Sequence, residues 1–236
     1  MQLEPIRTND QGAGSVVLGR QVSSEAQKVL RNTYLLLAVT MVPTVIGAWL
    51  GMATASIITG SPIISFFVML AAVIGLQFGI VRFRNSVIGI GLLLLMTGLL
   101  GWFLGPLLNY ALALKNGMQL VGYAAAGTGA VLFAMGTIAT TTKRDFSFMG
   151  KFLFVGMIVL LIAMIANMFL QIPALALTIS SLVIVVFSLF LLYDLSRIVT
   201  GGETNYVMAT TGVYMSLFNI FANLLSLLGI LGGDRD

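Results

Sequence analysis

Five stretches of this chain contain no Asp, Glu, Lys or Arg: residues 32–81, 85–114, 116–142, 152–193 and 204–233. The shortest is 27 residues long and the longest 50. A helix needs about 20 predominantly apolar residues to cross the hydrocarbon core of a bilayer, so each stretch can span it. Only 8% of the 236 residues are charged and 58% are hydrophobic, against about 25% charged in an ordinary soluble domain. The chain could not cover its own surface with polar groups. A soluble globular protein, a nucleic-acid binder and a disordered chain are excluded, and the lipid bilayer is the medium in which the chain folds.

The stretches are continuously apolar, whereas barrel strands alternate. The predicted fold class is therefore all-α integral membrane, a seven-transmembrane-helix bundle. Spans are predicted near 33–53, 62–81, 86–108, 119–141, 151–171, 173–195 and 205–230. The 50-residue gap must hold two spans, broken at Gly51, Gly60, Ser61 and Pro62. The 42-residue gap also holds two, joined around Gln171, Ile172 and Pro173, with proline suited to the first turn of the following helix. Six spans with a re-entrant last segment is the alternative. Residues 1–28 read as a flexible cytoplasmic tail, 29–231 as the membrane domain and 232–236 as a short C-terminal tail. No apolar segment precedes Leu35, so no cleavable signal peptide is expected.

Basic residues set the orientation. With the N-terminus cytoplasmic, the inner segments hold Arg7, Arg20, Lys28, Arg31, Arg82, Arg84, Lys143, Arg144, Lys151 and Arg197. The outer segments hold only Lys115 and Arg235. Seven spans then place the C-terminus in the periplasm.

Three G-x-x-x-G pairs, Gly47/Gly51, Gly75/Gly79 and Gly101/Gly105, are expected to bring helices together within the chain. So is the small-residue run Ala124–Ala130 of the fourth span. Pro43 and Pro106 are expected to kink the first and third spans. In the seventh span Gly212, Ser216, Asn219, Asn223 and Ser226 recur every three or four residues, which puts them on one helix face. Lipid cannot satisfy the asparagine amides. That face should point inward, making the C-terminal helix central with the other six around it. Asn167 and Gln171 add a polar pair to the fifth span. Hydrogen bonding between helices is the plain reading of these polar faces, and a polar pathway or hinge the sharper one. Asp194 is the one ionisable group placed within a span. It is either an interfacial carboxylate paired to Arg197 or a proton-sensitive latch. Burial and Arg197 act on its protonation in opposite senses, so the sequence leaves its charge state open.

The chain has no His and no Cys. Disulfides, thiol catalysis, Cys/His zinc sites and Ser-His-Asp triads are excluded. An aspartyl intramembrane protease needs two membrane carboxylates, and a retinal protein needs a lysine in its last helix. Neither is present. Gly201-Gly202-Glu203 lacks the lysine of a phosphate loop and reads as a tight turn between the last two spans. No enzyme activity, cofactor or metal site is expected.

The segments RNTYLLLA (31–38), GWFLGPLLN (101–109), RDFSFMGKFL (144–153), NMFLQIPALALTISS (167–181) and GGETNYVMATTGVYMSLFNIFANLLSLLG (201–229) resemble the bacterial Bax inhibitor-1 family. The resemblance covers residues 28–230 and is nearest to the YccA-type inner-membrane members. It implies a seven-helix bundle with the last helix in the centre. It also implies association with the FtsH protease complex, whose proteolysis of membrane proteins such members modulate. Other family members are described as pH-sensitive calcium leaks, latched by a pair of aspartates on helices six and seven. Asp194 matches the first. Ser216 stands where the second would be, and a serine cannot share a proton as a second carboxyl does. The resemblance therefore points to a regulator of FtsH in the bacterial inner membrane, with a calcium or proton leak as the alternative.

Overall fold

A computed structural model describes residues 23–142 and 144–232 of the chain. The predicted tail up to residue 22, and Arg7, Arg20, Lys143 and Arg235, lie outside the described residues. The elements are α1 (Ser24–Ala53), α2 (Ala55–Thr59), α3 (Pro62–Arg82), α4 (Val87–Leu112), α5 (Gly117–Thr142), α6 (Met149–Leu170), α7 (Pro173–Thr200) and α8 (Tyr206–Gly232). Seven of them, all but the one-turn α2, are long and apolar enough to cross a membrane. The architecture is the expected all-α membrane bundle.

Several boundaries differ from the sequence reading, most of all at α1, which starts before residue 33, and at α7, which runs to Thr200 rather than 195. The first helix begins at Ser24, inside the stretch assigned to the tail, because Ser23 accepts a hydrogen bond from the Ala26 amide (3.1 Å) and caps it. The short α2 fills the turn between the first two spans. There the Trp102 indole N–H donates to Thr54 Oγ1 (2.8 Å), and Asn109 Nδ2 donates to the Met52 carbonyl (2.9 Å).

The tightest seam is α1 against α4, and glycine makes it. A Cβ at Gly47 would overlap the Gly98 carbonyl, one at Gly51 the Trp102 carbonyl, one at Gly101 the Thr44 carbonyl and one at Gly105 the Gly51 backbone. Two of the three G-x-x-x-G pairs thus face each other, with backbone on backbone. Pro106 has no N–H to offer the Trp102 carbonyl one turn earlier. That carbonyl instead faces the Gly51 Cα, a geometry suited to a weak Cα–H···O contact. The third pair does not behave as expected. Open space surrounds Gly75, and a Cβ at Gly79 would meet only the Leu92 side chain. The run on α5 is likewise split. Ala124 is buried, but Ala125, Ala126, Gly129 and Ala130 are exposed.

α8 packs against α1, α4, α5 and α7 and lightly against α3, while α6 is packed on α7. No residue from Asn205 to Ile230 is exposed. By contrast Phe78 on α3, Val87 on α4, Phe133 on α5 and Phe152 on α6 present their side chains outward, as helices bounded by lipid tails do. Tyr214 of α8 is 2% exposed. Its hydroxyl hydrogen-bonds with Thr44 Oγ1 (2.8 Å) and donates to the Thr97 carbonyl (3.3 Å), tying α8 to α1 and α4.

Candidate functional site at the basic end of α7 and α8

α7 runs to Thr200 and must reverse within six residues to start α8. Gly201 makes this possible with φ of +81°, in the left-handed region. The Arg197 carbonyl accepts the amides of Gly202 (2.8 Å) and Glu203 (3.1 Å), closing the last turn. The Glu203 side chain accepts the Asn205 amide (2.9 Å). Asn205 Oδ1 in turn accepts the amides of Val207 and Met208, both at 3.0 Å, which caps α8. The other side of the same amide donates to the Arg84 carbonyl (3.0 Å) and to Asn85 Oδ1 (2.7 Å). One asparagine thus starts α8 and fastens the α3–α4 loop to it.

The turn also decides where Arg197 goes. Its guanidinium donates to the Gly202 carbonyl (3.1 Å), lies 3.6 Å from Glu203 Oε2 and sits 5.5 Å from the centre of the Tyr193 ring. Among the described residues, the guanidinium's ion pair is with Glu203 and not with Asp194, the partner that one of the two readings gave it. Arg197 lies three residues beyond Asp194, near the helix end, and its long side chain reaches outward to the interface. Asp194, half-buried, turns inward onto Gly212. A Cβ there would lie 2.6 Å from Asp194 Oδ2. With a Cβ at this position the carboxylate would have to turn away. Among the described residues no hydrogen bond or ion pair reaches the Asp194 carboxylate.

Ser216, the other half of the expected latch, is 2% exposed and one turn further along α8. No hydrogen bond joins it to Asp194. The residue that the carboxylate touches, Gly212, stood in the predicted polar stripe only as a spacing position. A glycine opposite a carboxylate carries no sequence signal of its own.

The remaining polar positions also divide. Asn219 donates to the Met215 carbonyl (2.8 Å) and Asn223 to the Asn219 carbonyl (2.9 Å), both on their own helix. The expected hydrogen bonds between helices are not what these donors make. Ser226 is half-buried. Gln171 does not belong to an inner face at all. It is the exposed left-handed residue, φ of +51°, that ends α6 before Pro173 starts α7. Asn167 supports that turn by accepting the Ile172 amide (3.1 Å). Asn167 and Asn223 nevertheless line one groove together.

Around the turn, Asp145 of the α5–α6 loop accepts the Ser147 amide (2.8 Å), and these Ser147 hydrogen bonds, with help from Arg197, hold its carboxyl below the ordinary 3.8. The Arg84 carbonyl, held by Asn205, and the Arg197 guanidinium, held by Gly202, lie at the same end of the bundle. Among the described residues no group of three or more His, Cys, Asp or Glu side chains could hold a metal ion.

The family model described as Inhibitor of apoptosis-promoting Bax1 matches residues 26–233. A relative in Escherichia coli K12, named Modulator of FtsH protease YccA, is 42% identical over 207 residues, covering 88% of this chain and 92% of the relative. The same identity and coverage hold for a protein of Escherichia coli O6:H1 named Inner membrane protein YccA. An uncharacterized membrane protein of Vibrio cholerae is 42% identical over 210 residues, covering 89% of this chain and 92% of its own length. A match along the whole membrane domain, from the start of α1 to the end of α8, means that this seven-helix chain belongs to the Bax1-I family.

Proposed function

We propose that this chain is a regulatory protein of the bacterial inner membrane that associates with FtsH and modulates its proteolysis of membrane proteins. The observation that carries the reading is the 42% identity, over 92% of its length, to a protein named as a modulator of that protease. The chain acts as a partner rather than a catalyst. The N-terminus and the basic end face the cytoplasm and the C-terminus the periplasm. The grouping of Arg84 and Arg144 in loops and of Arg82, Lys151 and Arg197 in the helix turns beside them, all at one end, supports this orientation, with Lys115 in the α4–α5 loop at the other.

A calcium leak has less support. Ca²⁺ takes six to eight oxygen ligands, whereas Asp194 faces a glycine of α8, a helix without Asp or Glu. The test is affinity capture of the tagged full chain from membranes, with turnover of an FtsH membrane substrate followed with and without overexpression. Co-purification of FtsH and a change in turnover are expected. If FtsH is not captured and turnover is unmoved, the reading fails.

A further inference from the structure

The helices around α8 leave one side open. α3 touches α8 lightly, and α6 joins the bundle through α7. Between them runs a groove of about 380 Å³, lined by Phe66 of α3, Met164, Asn167 and Met168 of α6, Ala176 of α7 and Asn223 of α8. Asn223 uses an N–H on its own helix, and Asn167 uses its oxygen on the α6–α7 turn. Asn223 Oδ1 and Asn167 Nδ2 have no hydrogen-bond partner among the described residues. One is an acceptor and the other a donor, and hydrocarbon satisfies neither.

Depth separates the possible occupants. Asn167 lies three residues from the end of α6 and Asn223 nine residues from the end of α8. At about 1.5 Å per residue, the groove descends from the membrane interface to more than about 10 Å below it. A lipid tail presents no polar group there, whereas a transmembrane helix with a Ser, Thr, Asn or Gln does. The two methionines suit such a surface, because their unbranched thioethers adapt to a neighbour's shape.

We propose that this groove docks one transmembrane helix of a partner, carrying a hydrogen-bonding side chain opposite Asn223. The proposal rests on the function proposed above and takes that helix to come from the FtsH complex.

The natural chain has no cysteine, so single cysteines can carry a benzophenone crosslinker. The full chain and the purified FtsH complex are co-reconstituted in vesicles of phosphatidylethanolamine and phosphatidylglycerol. Probes at Met168→Cys and Ala176→Cys should crosslink a polypeptide of the complex, and a probe at Phe133→Cys, on α5, should not. Asn167→Leu with Asn223→Leu should weaken association about eightfold, the effect of losing two interhelical hydrogen bonds of average strength in lipid. Ala176→Trp fills the groove and removes no hydrogen bond. It should weaken association at least as much, with the thermal midpoint of the chain unchanged. Groove probes that give only phospholipid adducts, while Phe133→Cys captures the complex, overturn the groove and leave the function intact. So does an Ala176→Trp chain that binds like the parent. A parent chain that never binds the complex overturns the function itself, and the groove proposal with it.

Discussion

The α1–α4 seam permits a sharp test because one substitution, Gly to Ala, meets opposite surroundings at two positions. At Gly101 the new methyl would overlap the Thr44 carbonyl, while at Gly75 it would enter open space. Backbone cannot rotate away as a side chain can. To accept the methyl, α1 and α4 must part by roughly 1 Å or more, against a usual interaxial spacing of about 8–10 Å. Overpacking of this kind costs about 1–3 kcal/mol. Parting the helices also stretches the 2.8 Å contact between Thr44 and the Tyr214 hydroxyl, worth about 0.6 kcal/mol for an average hydrogen bond in a membrane protein. The intrinsic helical preference for alanine returns about 0.5–1 kcal/mol. The expected net loss for Gly101→Ala is about 1–3 kcal/mol. At about 2–4 °C per kcal/mol for a chain of this size, that is a fall of roughly 2–12 °C in the midpoint of unfolding. Gly75→Ala keeps the helical gain without the clash and should hold or raise the midpoint. Thermal unfolding in detergent, followed by near-ultraviolet circular dichroism, measures both. If Gly101→Ala melts with the parent, or Gly75→Ala falls as far as Gly101→Ala, backbone contact does not hold the seam.

Three further outcomes are expected. Gly212→Ala places a methyl 2.6 Å from Asp194 Oδ2, a side-chain end that can turn where the Thr44 backbone cannot, so the loss should be about 1 kcal/mol, the low end for overpacking; the loss should shrink when Asp194→Ala is combined with it, and strictly additive losses in the double-mutant cycle would disprove the contact. Asn205→Ala removes the cap of α8 and the tie to Arg84 and Asn85, and should cost about 1–2 kcal/mol, with amide exchange rising first at Val207 and Met208; unchanged exchange there would count against the cap. The Asp145 carboxyl is held below its ordinary value by Ser147, so its stabilising effect should be full above about pH 4, the unfolded value, and disappear as pH falls through the lowered one. An Asp145→Asn chain should accordingly differ from the parent at pH 7 and converge with it in strong acid, and a difference that grows in acid would reverse the sign.

Much of the membrane domain was legible because its signals are local. A run without charge is read one residue at a time, and the breaks at Pro62 and Pro173 coincide with helix starts. Gly201 was legible as a turn because reversing the chain there needs a residue tolerant of positive φ. The site was less legible. Asp194 stood out as a carboxylate in an apolar run, but its neighbour did not. Arg197 is near it in sequence and turned to Glu203. Ser216 had the right chemistry on the right helix face and lay one turn from the glycine that receives the carboxylate. Such errors of one turn, about 5.4 Å, are invisible to periodicity, which fixes a face and not a depth.

The sequence by itself determined the medium, the number of long apolar helices and the composition of each face. These follow from the cost of placing charges and unsatisfied amides in hydrocarbon, a cost that each segment bears alone. Only the tertiary structure decided that Gly47, Gly51, Gly101 and Gly105 form one seam while Gly75 faces open space. It alone placed Asp194 on Gly212, and Asn167 and Asn223 beside one open groove. In lipid, apolar burial scarcely distinguishes one helix pairing from another. The choice rests on backbone fit and a few hydrogen bonds between residues far apart in the chain, such as Thr44 with Tyr214 and Asn205 with Arg84.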